Sequence, residues 1–277
     1  MYVKELSVYP IKSCARVNAS KLEMDKFGAK FDRMFMLVTP EGQFLSQRGT
    51  KDKPGKGEMA LIHSFIDEQI LRVQAPGMEI LSIDINERTF ETLSATLHDE
   101  RIEVAEVSKK ANTWFSEFLD MPCRLVVKCE SFSRNVNPDF DQAQNREVRF
   151  TDGFPFLLTN QRSLDDLNSR RDNPVKMNRF RPNIVIEGAS QPYIEDSWRT
   201  VKIGELSFSV VKPCSRCLII NVNQENGSRD TDGPLKTLGS YRNISFHGKS
   251  GIRFGVNMIH NSLSGTIRLG DEVKVLE

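Results

Sequence analysis

Leu206-Ser207-Phe208-Ser209-Val210-Val211-Lys212-Pro213-Cys214-Ser215-Arg216-Cys217 is an alternating run that ends in a cysteine pair. Leu206, Phe208 and Val210 recur at a period of two, as the apolar face of a half-buried strand does. The strand therefore delivers two of the five cysteines to its end, beside Lys212 and Arg216. A thiol serves as nucleophile or metal ligand only as thiolate, and neighbouring cations favour that form. The segment suits a soft metal, a disulfide or an anion, and its spacing does not choose among them.

The same period of two marks Leu71/Val73, Leu81/Ile83/Ile85 and Ile267/Leu269/Val273/Val275. Met34 to Val38 and Phe154 to Leu158 are continuous apolar runs, the pattern of strands buried on both faces. Leu218-Ile219-Ile220-Asn221-Val222 also reads as a strand. One helix is predicted over about 112 to 119, where Trp114, Phe115, Phe118 and Leu119 share a face. Another starts at Ser163 as N-cap, with Asp165 and Asp166 in its first turn. A third, short, runs from Pro234 to Leu238, with proline in the first turn where it is tolerated. The fold class is mainly β with a few short helices (α+β), a barrel or two rather than alternating βαβ units. The polar stretch between Cys129 and Val148 reads as a long loop, either joining two lobes or covering a site.

Composition narrows the function. The chain has 277 residues, enough for a full core, and its 38 Lys and Arg nearly cancel its 37 Asp and Glu. No global field recruits nucleic acid or an anionic membrane, so the cations act locally. The start, Met1-Tyr2-Val3-Lys4-Glu5-Leu6, lacks a signal peptide's apolar stretch, and no segment approaches a membrane span. An odd number of scattered cysteines (14, 123, 129, 214 and 217) argues against a secreted disulfide framework and for a reducing cytoplasm.

Cys214 and Cys217 have redox-motif spacing without the helix start and βαβ unit that usually go with it. Zinc needs two further ligands, and His63, His98, His247 and His260 are scattered. The plant-type iron–sulfur run is absent. Lys12-Ser13, Arg33, Arg48, Arg179 and Arg181 sit at the entrances or ends of strand-like runs, placed to converge at one end of a barrel. Arginine forks a phosphate, and lysine and serine add donors. No Walker or dinucleotide loop is present. Asp32, Asp152 and Asp232 fall in loops with no histidine at informative spacing, so hydrolase chemistry gets little support. Trp114 and Trp198 read as core.

Taken in order, these pieces resemble the MOSC family, whose MOSC domain follows an N-terminal β-barrel domain, and within it the mitochondrial amidoxime-reducing components and their bacterial relatives. The likeness rests on Tyr-Pro-Ile-Lys-Ser-Cys at 9–14, Asp-Arg-Met-Phe-Met-Leu-Val at 32–38, Phe-Pro-Phe-Leu-Leu-Thr at 154–159 and Ser-Leu-Asp-Asp-Leu-Asn at 163–168. It continues through Arg-Phe-Arg-Pro-Asn-Ile-Val at 179–185, Glu-Asp-Ser-Trp at 195–198 and Lys-Pro-Cys-Ser-Arg-Cys at 212–217. It closes with Pro-Leu-Lys-Thr-Leu at 234–238 and Gly-Asp-Glu-Val at 270–273.

The resemblance implies two domains, residues 1–125 and 126–277, and a molybdenum cofactor (Mo-molybdopterin). It implies that Cys217 is the metal ligand and the catalytic centre. Lys12, Ser13, Arg33, Arg181, Asn183, Ser215 and Arg216 are implied to cradle the pterin and its phosphate, and Asp152 to join them. Where relatives carry Phe-Gly-Gln, this chain has Phe254-Gly255-Val256-Asn257, which puts Asn257 near the cofactor with an altered contact. The implied reaction is reduction of N-hydroxylated compounds such as amidoximes or hydroxylaminopurines. With no iron–sulfur cysteines here, electrons are expected from a separate ferredoxin- or flavoprotein-like protein. A carrier that holds the cofactor or its sulfur without turnover is the alternative, and a dithiol redox protein using Cys214 and Cys217 is another.

Overall fold

Phe35, Met36, Leu37 and Val38 are all fully buried, as a continuous apolar run demands, and they form one strand of an N-terminal sheet. The structure is a computed structural model that describes residues 1–49, 55–141 and 145–277. The first strands are β1 (Tyr2–Val8), β2 (Val17–Ala19), β3 (Lys21–Asp25), β4 (Gly28–Ala29) and β5 (Phe35–Val38). Then come β6 (His63–Asp67), β7 (Ile70–Gln74), β8 (Leu81–Asp84), β9 (Thr92–Leu97), β10 (Glu100–Glu106) and β11 (Arg124–Lys128). The rest are β12 (Phe156–Asn160), β13 (Ile184–Glu187), β14 (Thr200–Ile203) and β15 (Leu206–Ser215). They are followed by β16 (Asn243–Phe246), β17 (Lys249–His260), β18 (Gly265–Arg268) and β19 (Val273–Val275). The helices are α1 (Lys109–Leu119), α2 (Pro138–Asp141), α3 (Gln161–Asn168) and α4 (Pro234–Tyr241).

The largest sheet runs β19-β14-β15-β17-β12-β13-β1-β2, with β16 hairpinned onto β17. β1, from the start of the chain, pairs antiparallel with β13, so Leu6 stands opposite Ile184. The N–H of Val3 also donates to Asp271 O at 2.9 Å, and Tyr2 bridges Glu272 just before β19. The path thereby returns on itself, as in a barrel, which removes the exposed edges of an open sheet. Its interior is filled by Val3, Leu6, Phe156, Ile184, Trp198, Phe208 and Met258, among others. β5-β11-β10-β9 and β6-β7-β8 form two further sheets, and α1 packs Ala111, Trp114, Phe115 and Leu119 into the core they share with Phe35 and Leu125.

Several expectations need correction. The helix predicted from Ser163 begins earlier: Asn160 is its N-cap, its Oδ1 accepting from the Arg162 N–H at 3.0 Å. Ser163 lies inside the helix instead, fully buried, and donates to Glu195 at 3.2 Å. Leu218–Asn221 is a 3-10 turn, not a strand. Asn221 explains it, since its side chain accepts from the Leu235 N–H at 3.1 Å and ties the segment to the start of α4. The run from Ile267 to Val275 is two strands, because Asp271 Oδ2 accepts from the Arg268 N–H at 2.7 Å and turns the chain. The long loop after Cys129 contains α2, and its residues 142–144 lie outside those described.

Candidate functional site

β1 ends where Pro10 removes a ladder donor. The chain then crosses to β5 through Lys12 N–H to Phe35 O at 2.8 Å and doubles back through Cys14 N–H to Ile11 O at 3.1 Å. Ser13 in this turn takes φ 66°, a left-handed backbone that costs a non-glycine residue energy. Arg33, at φ 45°, is fixed similarly, its N–H on Tyr9 O at 2.7 Å and its carbonyl accepting from Phe150. The Arg33 guanidinium lies 4.1 Å from the Tyr9 ring and donates to Asp32 Oδ2 at 2.5 Å and Arg181 O at 3.2 Å. Arg181, also left-handed at φ 57°, sits 4.4 Å from the same ring. Burial lowers the Arg181 pKa, and the Arg33 charge lowers it further.

Lys12 is 5% exposed, ion-paired with Asp152 and 5.1 Å from the Phe44 ring. Asp152 is ringed by protein yet reached by solvent, its side chain 80% exposed. Burial alone would raise its pKa. The Lys12 charge and a hydrogen bond from His98 outweigh that and hold the carboxyl well below the usual range. His98 Nε2 is 3.1 Å from Asp152 Oδ1, and the ring sits edge-on to Phe44 at 5.9 Å. The sequence reading paired no histidine with Asp152; the structure does, because the β9–β10 hairpin puts His98 at its tip, at φ 57°.

The second wall is strand. Pairing of β15 with β17 shifts register between Val210 and Lys212 and again between Pro213 and Ser215. Such bulges re-aim side chains and accommodate Pro213 inside a strand. Gly255 on β17 is obligatory at φ +69°: a Cβ there would stand 2.6 Å from Leu158 O. Lys212 lies 4.9 Å from both the Phe140 and Phe154 rings. Burial pushes the Cys214 thiol up, opposed by Arg216 and Lys212 and reinforced by Asp152 and Cys217. Ser215 Oγ accepts from Arg253. Arg216 clamps two backbone segments, donating to Phe254 O at 2.9 and 2.7 Å and to Phe180 O at 3.0 Å. Cys217 then opens the 3-10 turn, half-buried.

Lys12, Ser13, Arg33, Asp152, Arg181, Asn183, Ser215, Arg216, Cys217 and Asn257 all line one cleft of about 260 Å³. Asn183 spends most of its amide on backbone: Oδ1 accepts from Leu157 N–H at 3.2 Å and Nδ2 donates to Ser7 O at 3.3 Å. Arg48 lines the cleft as well, whereas Arg179 does not join it and instead pairs with Asp230 at 2.8 Å. Phe44, His98 and Thr151 line the cleft without any signal in the sequence, and Lys212, expected as a cation beside the cysteine pair, lines it too. Lys212 was visible in its Cys-pair block; nothing in spacing points to Phe44 or His98.

Two polar atoms of this wall, Arg181 Nη2 and Thr151 Oγ1, are buried with no hydrogen-bond partner. Such orphans are costly unless a ligand satisfies them. Among the described residues six lysines and arginines line the cleft against one carboxylate, Asp152, so the missing partner is an anion or a neutral acceptor. Among the described residues no three His, Cys, Asp or Glu side chains cluster as a metal cage. A metal that brings its own sulfur ligands is compatible with one protein thiolate.

The "MOSC N-terminal beta barrel domain" family model matches residues 1–122, and the "MOSC domain" model matches residues 145–274. Mitochondrial amidoxime-reducing component 1 of Mus musculus is 33% identical over 291 residues, covering 99% of this chain and 82% of that protein. The Homo sapiens protein of the same name is 31% identical over 288 residues, with the same coverage of 99% and 82%. The molybdenum cofactor sulfurase of Arabidopsis thaliana is 33% identical over 299 residues, covering 98% of this chain but 35% of that protein. With both family models matched in order and this identity sustained end to end, the chain belongs to the MOSC family.

Proposed function

We propose that the chain is a molybdenum-cofactor-binding oxidoreductase that reduces N-hydroxylated compounds, amidoximes and hydroxylaminopurines among them. The observation that carries this reading is a half-buried thiol, Cys217, in the same cleft as six cations and two orphaned polar atoms. The residues fit the group: Cys217 would be the protein's thiolate ligand to molybdenum. Lys12, Ser13, Arg33 and Arg181 would bind the phosphate, with Thr151, Ser215 and Asn257 meeting the pterin edge. When bound, the cofactor supplies the two-electron chemistry that these side chains lack.

The chain's own parts have distinct duties. Arg216 fixes the Cys217 segment through the Phe254 and Phe180 carbonyls. Asn183 braces the Arg181 loop on β1 and β12. Asp152 keeps the buried Lys12 ammonium charged by offsetting the desolvation that lowers its pKa. The relatives named as amidoxime-reducing components support an N-hydroxylated substrate, and a separate ferredoxin- or flavoprotein-like protein would supply the electrons. No described helix is long and apolar enough to cross a membrane, and all five cysteines are unpaired, which favours a reducing compartment such as the cytoplasm.

The sulfurase relatives, at the same 33% identity, support a second reading in which the cleft carries the cofactor or its sulfur without turnover. Molybdenum content of wild type and Cys217→Ala, both expressed with molybdate, tests the shared part of both readings. Near-stoichiometric metal in wild type and at least a tenfold loss in the variant is the expected result. An empty wild type, under conditions that load a relative, overturns both. Amidoxime reduction by the loaded protein then separates reductase from carrier.

A further inference from the structure

We infer that His98, oriented by Asp152, is the proton donor of this cleft, a role that rests on the reductase reading and deepens it. Reducing an amidoxime breaks its N–O bond with two electrons from the reduced donor protein. The nitrogen is left as the amidine N–H and the oxygen departs as water, so two protons are consumed. A general acid must therefore stand in the cleft and be refilled from solvent.

The cleft offers few candidates. Cys217 is the proposed metal ligand. Burial raises the Cys214 pKa, which makes that thiol a poor acid. Lys12 is committed to Asp152. The Asp152 carboxyl is held well below the usual range and stays ionised, an acceptor. Histidine is the side chain suited to give and recover protons near neutrality. His98, about a third exposed, lines the same cleft as Asp152, Cys214 and Cys217.

The support around His98 resembles a base held by a carboxylate. Nε2 at 3.1 Å from Asp152 Oδ1 fixes that nitrogen as the N–H and leaves Nδ1 to carry the transferable proton. Phe44 packs edge-on against the ring, and the same Phe44 lies under Lys12. The hairpin is anchored from the other side, where Arg134 bonds Glu100 at 2.8 Å and the carbonyl of Thr151, next to Asp152, at 2.8 Å. Among the described residues, Asp152 is the charged group that the ring touches, Lys12 lies across Phe44 from it, and Glu100 of its own hairpin is held by Arg134. His98 gives the first proton to the leaving oxygen and is refilled by water reaching the exposed Asp152 side. The second proton follows the same route.

The test uses molybdenum-loaded full-length protein, benzamidoxime as probe and a reduced viologen as electron source. His98→Gln keeps an N–H for Asp152 but carries no transferable proton. It is expected to lower kcat roughly 100-fold, with KM changed less than threefold, and to flatten the pH–rate profile, while metal content and Tm stay at wild-type values. Independently of turnover, ring 15N shifts of the metal-free protein should show the Nε2–H tautomer, and Asp152→Asn should mix the two tautomers. Wild-type kcat and pH profile in His98→Gln, or an Nδ1–H tautomer in wild type, overturns the inference alone. No turnover by loaded wild type overturns the reductase reading, and the inference falls with it.

Discussion

Ser13, Arg33, His98 and Arg181 reach the cleft at positive φ, between 45° and 66°, whereas Lys212, Cys214, Ser215 and Asn257 reach it from β15 and β17 with none at positive φ. Those four are among eleven non-glycine residues at positive φ in the described chain, so this strain is concentrated at the site. Strained backbone of this kind persists only where surroundings over-determine it, and it gathers where geometry matters for function. The strand wall obtains its geometry from two bulges instead. Glu195 is buried against Asn160 and Ser163, and His260, the last residue of β17, is buried beside Phe156. One wall should thus respond to backbone substitutions, and the other to pH.

The largest expected effect comes from separating the walls. A fragment of residues 126–277 loses β1, which pairs with β13 and bonds to residues 270–271. It should show no cooperative thermal transition by circular dichroism and should aggregate through the bared β13 edge. A cooperative transition in the isolated fragment would break the comparison outright.

The pH response is next. Burial pushes Glu195 up from 4.5 to about 7, and burial pushes His260 down from 6.5 to about 4. A carboxyl with a raised folded pKa binds an extra proton in the folded state, so its stability is full below 4.5 and is lost as pH rises to about 7. The histidine works in reverse, costing stability as pH falls from 6.5 to about 4. The two trends oppose each other over the overlap. Glu195→Gln removes one of them, so its stability relative to wild type should climb by about 3 kcal/mol between pH 4.5 and 7. Urea midpoints at several pH values measure this, and a flat difference curve would show that the wall is not titrating.

The smallest effect probes strain. Ser13→Gly should be neutral or stabilising by about 0.5–1 kcal/mol in thermal unfolding, because glycine accepts positive φ without cost. The same variant should retain less molybdenum, having lost its hydroxyl. Clear destabilisation would mean that the turn at Ser13 is not strained.

Strands were legible where burial writes a period: the 206–210 run, the 71–85 runs and the fully buried 35–38 run. The cations and the cysteine pair were legible as chemistry, and family likeness gathered them into one set. What escaped has physical causes. His98 and Asp152 are 54 residues apart and meet only because a hairpin tip crosses to a loop, a contact without local signature. Leu218–Asn221 is a short apolar run, for which periodicity cannot tell a strand from a helical turn. Asn160 and Ser163 are both good caps, and only the buried hydrogen bond of Ser163 to Glu195 decides between them. The pairing of β1 with β13 is invisible for the same reason of distance.

That pairing bears on how the molecule is made. One edge of β1 pairs at once with β2, but the other waits for β13, and Ser7 waits for Asn183, 176 residues further along. At ribosomal speeds of about 5–20 residues per second, that interval is roughly 9–35 s. Through it the strand Tyr2–Val8 has β2 as partner on one edge, while its β13 edge stays bare, a period in which a nascent chain needs a chaperone's cover. The cleft, which draws on residues from Lys12 to Asn257, takes shape only after Asn257 has been made.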